Sequence, residues 1–153
     1  MCSIFGIINK NKQDYNLNDL LQCMNHRGPD NNGFFNDRNN NNNNILLGQN
    51  RLEILDLENG KQPMIDETNG NVIVFNGEIY NHKYLRKKLE NFGHNFNSSH
   101  SDTEVLLLGY KQWGSKLPSY LDGMWAFSIY DKIKNQFFLS RDRFGEKPLY
   151  YYY

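Results

Sequence analysis

The stretch MWAFSIYD at residues 124–131 decides the fold class of this chain. In an extended strand, Met124 and Ala126 point to one side while Trp125, Phe127 and Ile129 point to the other, so both sides are apolar. A short polar turn joins this strand to QFFLSR at residues 136–141, which predicts an antiparallel hairpin. A strand that is apolar on both faces must be covered on both faces. The sequence therefore predicts a layered α+β domain of stacked antiparallel sheets with flanking helices.

The rest of the chain supplies elements that fit such layers. Apolar periodicity predicts helices at residues 16–25, 81–92 and 101–114, and the last opens with the capping box SDTE at 101–104. Further strands are predicted at residues 3–8, 51–56 and 71–75. Cys23, near the apolar side of the first helix, is predicted to be a buried small side chain. The asparagine run at 39–44, within a total of 24 asparagines, predicts a disordered loop insertion over residues 38–44.

Composition narrows the classes of function. The 153 residues carry 17 basic and 17 acidic side chains, so no net charge favours nucleic acid or an anionic membrane. Two cysteines without a CxxC pair make neither a disulfide framework nor a zinc knuckle, and the four histidines have unrelated spacings, so no metal site is predicted. No signal peptide or membrane span is recognisable, which predicts a cytosolic protein.

Cys2 directly follows the initiator Met1 and offers a specific chemistry. Removal of Met1 would leave one residue with both a thiol and a free α-amine, which titrates near pH 8 and can accept a proton at neutral pH. A nucleophile activated by its own α-amine is an established form of covalent catalysis. By itself, a cysteine at position 2 is a weak signal.

Six ordered motifs add to it, together with the opening MCSIFGI. They are HRGPD at 26–30, RLEILDLENGKQPM at 51–64, NGEIYNH at 76–82, GHNFNSSHSDTEVLL at 93–107, LDGMWAFSIYD at 121–131 and RDRFGEKPLYY at 141–151. Together they resemble the glutaminase domain of glutamine-hydrolysing asparagine synthetases, which are class II glutamine amidotransferases with the N-terminal-nucleophile (Ntn) hydrolase fold. The resemblance implies a four-layer αββα sandwich over residues 2–153, incomplete at its C-terminal end, with the ATP-dependent synthetase domain absent.

The resemblance also implies roles for individual residues. Cys2 is the expected nucleophile, and Asn76 with Gly77 is the expected oxyanion hole. The residues expected to bind glutamine are Arg51, Leu52, Ile54, Leu55, Glu78 and Asp102, and those expected to support the site are Arg27, Asp30, Arg141 and Asp142. Simpler interpretations stand beside these roles. Asn-Gly is a strong hairpin-turn signal, an aspartate is favoured at a helix N-terminus, residues 27 and 30 are typical of turns, and the Arg-Asp pair at 141–142 fits a structural ion pair.

The implied reaction is hydrolysis of L-glutamine through a thioester. Ammonia would pass through a tunnel to a synthetase domain, in cis or in trans, that makes asparagine from aspartate. The glutaminase half needs no cofactor, whereas the synthetase domain needs ATP and Mg²⁺, and the full-length enzyme is expected to form a homodimer. The alternatives are another class II amidotransferase or a non-catalytic fragment. The chain departs from the family by having Gln49 and Asn50 where His and Arg are common, and Glu53 where a small residue is usual.

Overall fold

The computed structural model describes residues 2–9, 15–40, 43–52 and 61–152. Its strands form two antiparallel sheets, with three and four strands. In chain order, the elements are β1 (Ser3–Asn9), α1 (Leu17–Cys23), β2 (Asn31–Asn40), β3 (Asn43–Arg51), β4 (Met64–Ile65), β5 (Val72–Ile79), α2 (His82–Asn91), α3 (Asp102–Trp113), β6 (Gly123–Asp131) and β7 (Gln136–Arg141). Short 3₁₀ helices cover Asn25–Arg27 and Gly114–Tyr120. The first sheet has the order β1-β3-β2, and the second sheet has the order β4-β5-β6-β7.

The two sheets stack face to face, and helices cover their outer faces. One apolar cluster lies between the sheets and contains Ile45 and Leu47 of the first sheet with Val72, Val74 and Tyr130 of the second. A larger cluster joins the outer face of the second sheet to α2 and α3. On the other side, α1 lies against β3, where the Asn50 side-chain amide donates to the Leu21 carbonyl oxygen at 2.8 Å. The predicted α+β fold and the four-layer αββα order are therefore confirmed.

The strand that predicted the layers is buried on both of its faces. Phe127 and Ile129 pack toward the helices, whereas Tyr130 packs toward the first sheet, and all three side chains are fully buried. Each such side chain contributes about 1.5–3 kcal/mol by leaving water, so this strand anchors both interfaces. The hairpin with β7 is confirmed, and its turn contains Asn135 with a positive φ of 51°.

The sequence Asn76-Gly77 does not form a hairpin turn. It lies inside β5, where Asn76 pairs with Ala126 and Gly77 pairs with Trp125. The strand predicted at 71–75 therefore continues to Ile79. The turn interpretation was wrong. A two-residue turn joins strands that are adjacent in the chain, whereas the strand that pairs with β5 at Asn76 and Gly77 is β6, which begins more than forty residues after β5 ends.

The first sheet differs from the sequence expectation in two places. β3 is one strand that ends at Arg51, whereas a strand was predicted to start there, and residues 53–56 lie outside the described residues. The C-terminal half of β3 is polar, so the pattern of apolar residues did not indicate a strand there. The asparagine run also differs from the predicted loop, since β2 reaches Asn40 and β3 begins at Asn43. Residues added to both arms of a hairpin can extend it by pairing their backbones.

Two apolar side chains near the helix ends are exposed, and one of them, Cys23, was predicted to be buried. Cys23 is exposed, because the face of α1 that packs inward is centred on Leu21 and Cys23 lies about 200° around the helix from it. Phe92 is also exposed, since α2 ends at Asn91 and only Leu85 and Leu89 are buried. Neither difference alters the layers.

Candidate functional site

Most of the predicted site residues converge on one end of the sandwich. That end holds the start of β1, the last residues of β3 and β5, and the N-terminus of α3. Ser3 pairs with Asn50, and extending this register by one residue places Cys2 opposite Arg51. Directly opposed residues in antiparallel strands point to the same face, so these two side chains are neighbours. Cys2 is partly buried, and its Sγ lies 3.8 Å from the Leu52 carbonyl oxygen.

The shared face of Cys2 and Arg51 looks toward the second sheet. Side chains alternate along a strand, so Cys2 points to the same side as Ile4, and Arg51 to the same side as Leu47. Ile4 and Leu47 both belong to the apolar cluster between the sheets. On β5, Asn76 lies two residues after Val74 of that cluster, so its side chain points to the same face, and it is only 6% exposed. Cys2, Arg51 and Asn76 thus face one space between the two sheets.

The backbone of Gly77 points to the open edge of β5. Its partner Trp125 directs both backbone groups toward Asp142, because Trp125 N–H donates to the Asp142 carboxylate at 3.3 Å and its carbonyl oxygen accepts from Asp142 N–H at 2.8 Å. Gly77 and Trp125 therefore form a pair without mutual hydrogen bonds, and Gly77 N–H points away from β6. Along the same edge, the N–H of Phe75 donates to Gln62 and that of Ile79 donates to Asp102. Gly77 N–H lies between two donors whose partners are side chains.

Asp102 is placed by the cap of α3. The Ser101 hydroxyl caps this helix by accepting from Glu104 N–H at 3.3 Å, and Asp102 is the first helical residue. Its Oδ2 accepts from Ile79 N–H at 3.1 Å, which ties the helix to the end of β5. Burial raises the pKa of the Asp102 carboxyl, although the Ile79 N–H and the nearby His82 act in the opposite direction. Asp102 is therefore both the helix-terminal residue and a carboxylate at the site.

Glu104 does not complete the capping box that the sequence predicts. Its carboxylate accepts instead from the N–H groups of Asn97 and Ser98, at 2.7 and 2.9 Å, and from the Ser98 hydroxyl. The glutamate thus fixes the loop that precedes α3.

Two glutamines that the sequence did not mark as site residues hold the strand just before Asn76. The Gln49 amide donates to the Phe75 carbonyl oxygen at 2.9 Å, and Gln62 Oε1 accepts from Phe75 N–H at 2.6 Å. Gln62 Nε2 also donates to the Thr103 hydroxyl at 3.1 Å, next to Asp102. Gln62 belongs to the QPM sequence that ends the motif at residues 51–64, and this motif is the sequence feature that could have marked it as a site residue.

The HRGPD motif supports Arg51 through the backbone. Asp30 N–H donates to the Arg51 carbonyl oxygen at 3.2 Å, and Arg27 N–H closes the 3₁₀ turn by donating to Met24 at 3.0 Å. A Cβ on Gly28 would lie 2.5–2.6 Å from the Asn50–Arg51 peptide, so the loop can approach β3 only with glycine there. The turn interpretation of this motif and a supporting role are compatible.

Arg141 and Asp142 do not form the structural ion pair considered as an alternative. Arg141 donates to the carbonyl oxygens of Lys147 and Gly145, at 2.8 and 2.6 Å. The Asp142 carboxylate accepts from four backbone N–H groups, those of Trp125, Phe144, Glu146 and Lys147. Burial acts to raise the pKa of Asp142, but these N–H donors outweigh it and hold the pKa below its ordinary value.

These two residues also mark a border of the site. Ala126 pairs with Asn76 on one side and with Arg141 on the other, so Arg141 lies on the same face as Asn76, about 10 Å away across two strand spacings. The loop that follows therefore borders the site end.

The remaining predicted residues are Glu78, which is exposed at the end of β5, and Leu52, which is partly buried. Ile54 and Leu55 lie outside the described residues. Within the described ranges, no group of three His, Cys, Asp or Glu side chains could hold a metal ion. In the same ranges, no helix is long and apolar enough to cross a membrane.

Two antiparallel sheets stacked between helical layers form the αββα sandwich of the Ntn-hydrolase fold. All 153 residues match the family model described as "Glutamine amidotransferase domain", residues 1–153, and the chain belongs to that family.

Curated relatives and solved structures are similar to this chain. The chain is 43% identical to glutamine-hydrolyzing asparagine synthetase 1 of Bacillus subtilis (strain 168), covering 99% of this chain and 24% of that protein. It is 42% identical to putative glutamine-hydrolyzing asparagine synthetase 2 of Methanocaldococcus jannaschii, covering 100% and 32%. A solved glutamine phosphoribosylpyrophosphate amidotransferase from B. subtilis, complexed with ADP and GMP, is 26% identical over 57% of this chain and 21% of that one, with a TM-score of 0.46. The chain thus spans about a quarter to a third of the two curated relatives.

Proposed function

We propose that this chain hydrolyses L-glutamine with Cys2 as an N-terminal nucleophile. The observation that carries the proposal is the arrangement at the site end of the sandwich. Cys2 is opposite Arg51 and faces the same space as Asn76, while Gly77 N–H points to the open strand edge beside Asp102. A thiol, a fixed cation, amide donors and a carboxylate are the groups that a zwitterionic amide substrate needs.

The nucleophile and its base belong to one residue. With Met1 removed, the α-amine of Cys2 accepts the thiol proton, and Sγ attacks the carbonyl carbon of the glutamine side-chain amide. The tetrahedral intermediate collapses when the protonated amine gives its proton to the leaving nitrogen, so the C–N bond breaks and ammonia departs. A thioester remains. The amine then takes a proton from water, the hydroxide attacks, the C–S bond breaks, and the proton returns to the thiolate as glutamate leaves.

The negative oxygen of each tetrahedral intermediate needs donors that are already in place. The Asn76 side-chain amide and Gly77 N–H serve as these donors, and burial between the sheets strengthens their effect. Gly77 suits this position because a Cβ there would lie 2.1 Å from the Met124 carbonyl oxygen of β6, so the two strands can approach this closely only with glycine.

The two ends of glutamine's amino-acid group are bound by opposite charges. Arg51 binds the α-carboxylate through its planar guanidinium, and Asp102 with Glu78 binds the α-ammonium. The backbone of Leu52, with Ile54 and Leu55, completes the wall of the substrate pocket. A neutral chain with one local cation and one local anion fits a zwitterionic substrate.

The ammonia is used for ATP-dependent conversion of aspartate to asparagine. This part of the proposal is supported by the names of the relatives, which are asparagine synthetases several times longer than this chain. The glutaminase step needs no cofactor, whereas the synthetase domain that uses the ammonia needs ATP and Mg²⁺. That domain receives ammonia through a tunnel, in cis or in trans, and the complete enzyme is a homodimer.

Glutamate release by protein that begins at Cys2 tests the first step. We expect equal amounts of glutamate and ammonia from the wild type and a background rate from Cys2→Ala. The matched control is Cys23→Ala, since Cys23 is the other thiol of the chain and is exposed on α1, so this variant should keep the wild-type rate. Equal rates for wild type and Cys2→Ala would refute the mechanism, and intact mass establishes whether Met1 is absent.

A further inference from the structure

We propose that Gln49 and Gln62 are positioning residues for the oxyanion hole, because together they hold the peptide groups of Phe75 and so orient the Asn76-Gly77 segment that follows. The inference rests on the proposed glutaminase function and assigns two further residues to that same site. Both glutamines bond to the peptide groups of Phe75, so both act through the backbone of β5.

Both polar backbone groups of Phe75 are bound by side chains from outside its own strand. Its N–H donates to Gln62 Oε1 at 2.6 Å, and its carbonyl oxygen accepts from Gln49 Nε2 at 2.9 Å. Gln49 is only 1% exposed, so its amide bond is shielded from water. Leaving a buried polar group without its hydrogen-bond partner is costly, which makes this pairing a strong restraint on the Phe75 peptide.

The glutamines act where the neighbouring strand stops. β4 pairs with β5 only at Met64–Ile73 and Ile65–Val72, and extending this register by two residues places Gln62 opposite Phe75. Phe75 lies on the same edge as Gly77, so its N–H and carbonyl face the space that a longer β4 would occupy. Gln62 Oε1 and Gln49 Nε2 supply the acceptor and the donor that the backbone of a longer β4 would have offered to Phe75.

The same two side chains connect the parts of the site. Gln49 lies two residues before Arg51 on β3, on the same face, and Gln62 Nε2 donates to the hydroxyl of Thr103, the residue after Asp102. Gln62 is itself fixed against the first sheet, because a Cβ on Gly33 would lie 2.2 Å from its carbonyl oxygen. β3, which carries Arg51, and α3, which carries Asp102, are thus both linked by these glutamines to the Phe75 peptide, which precedes the oxyanion donors.

Loss of either glutamine should therefore affect kcat more than KM. The oxyanion exists only in the transition state and the intermediates, so misplaced donors raise the barrier without weakening glutamine binding. A misplacement of about 1 Å can cost about 100-fold in rate.

The kinetic test compares Gln49→Met and Gln62→Met with Asn50→Leu. Asn50 is the matched control because it is the next residue of β3, is equally buried and makes one side-chain bond of similar length, but to Leu21 of α1 on the opposite face. We expect kcat to fall about 10- to 100-fold in both Met variants with KM within about twofold, while Asn50→Leu keeps kcat at the wild-type value. If kcat falls in all three variants in proportion to their loss of Tm, the positioning role is refuted.

A second measurement does not depend on activity. Hydrogen exchange of the Phe75 amide, referred to the neighbouring Val74 amide that bonds to β6, should be about tenfold faster in Gln62→Met and unchanged in Asn50→Leu. Unchanged exchange in Gln62→Met would refute the positioning role of Gln62 even if the wild-type protein is an active glutaminase. If the wild type releases no glutamate but exchange of the Phe75 amide still becomes faster in Gln62→Met, the proposed function fails while the restraint of Gln62 on β5 is supported.

Discussion

Replacing Gly77 by alanine would separate oxyanion stabilisation from substrate binding. A Cβ at this position would lie 2.1 Å from the Met124 carbonyl oxygen and 2.8 Å from Trp125 Cα, and both are backbone atoms of β6. Contacts under 3.0 Å are essentially never made by real Cβ atoms, so the two strands must move apart by about 0.9 Å. Backbone atoms of a central strand cannot turn aside as a flexible side chain can. The shift therefore acts on the Gly77 N–H itself.

The size of this shift sets the expected loss. A displacement of about 1 Å at a catalytic donor costs about 100-fold in rate, which is about 2.7 kcal/mol in barrier height. Overpacking should also lower the free energy of unfolding by about 1–3 kcal/mol. KM for glutamine should change little, because Arg51 and Asp102 are on other elements and are untouched.

Steady-state release of glutamate by Gly77→Ala and by Gly6→Ala is the assay. Gly6 is also inside a strand, but its Cβ would meet only the flexible end of Leu47 at 3.1 Å and the next atom at 3.9 Å. We expect kcat of Gly6→Ala to stay within about twofold of wild type. A wild-type kcat for Gly77→Ala, or equal losses in the two variants, would show that the geometry of this edge does not govern the rate.

Three further changes have defined outcomes. Asp102→Asn should raise KM about 10- to 100-fold, yet its free energy of unfolding at neutral pH should match or exceed that of the wild type, because the buried charge is gone. In denaturant titrations this gain in stability should vanish as the pH falls from the raised pKa of the folded Asp102 carboxyl to the ordinary pKa of an aspartate. Asp142→Asn should cost about 2 kcal/mol at pH 7, and this difference from wild type should narrow as pH falls through the lowered pKa of Asp142; a pH-independent difference would contradict it. Gly33→Ala should displace the Gln62 backbone, and a crystal structure with Gln62 unmoved would contradict this.

The layers could be predicted because their signal is local. Trp125, Phe127 and Ile129 alternate with Ala126 along one short strand, and only cover on both sides can bury both sets. The capping serine of α3 was equally visible. The extent of β3 was not, because Gln49 and Asn50 look like loop residues until their amides find partners on β5 and α1.

The site was partly open to prediction for a similar reason. Arg51, Asp102 and the Asn76-Gly77 pair could be named from motifs, but the meaning of the pair depended on a strand far away in the chain. Trp125 turns its backbone toward Asp142, and this decides that Gly77 N–H faces the open edge. No local pattern contains that information.

The sequence by itself determined the layered α+β class and the family motifs, because apolar alternation and short motifs are properties of neighbouring residues. Only the tertiary structure decided where the site residues meet and which backbone groups are left for a substrate. The physical reason is the hydrogen-bond parity of an antiparallel ladder. Whether Gly77 points inward or to the edge depends on its register with β6, and whether that edge stays open depends on where β4 ends and on the two glutamines that take its place.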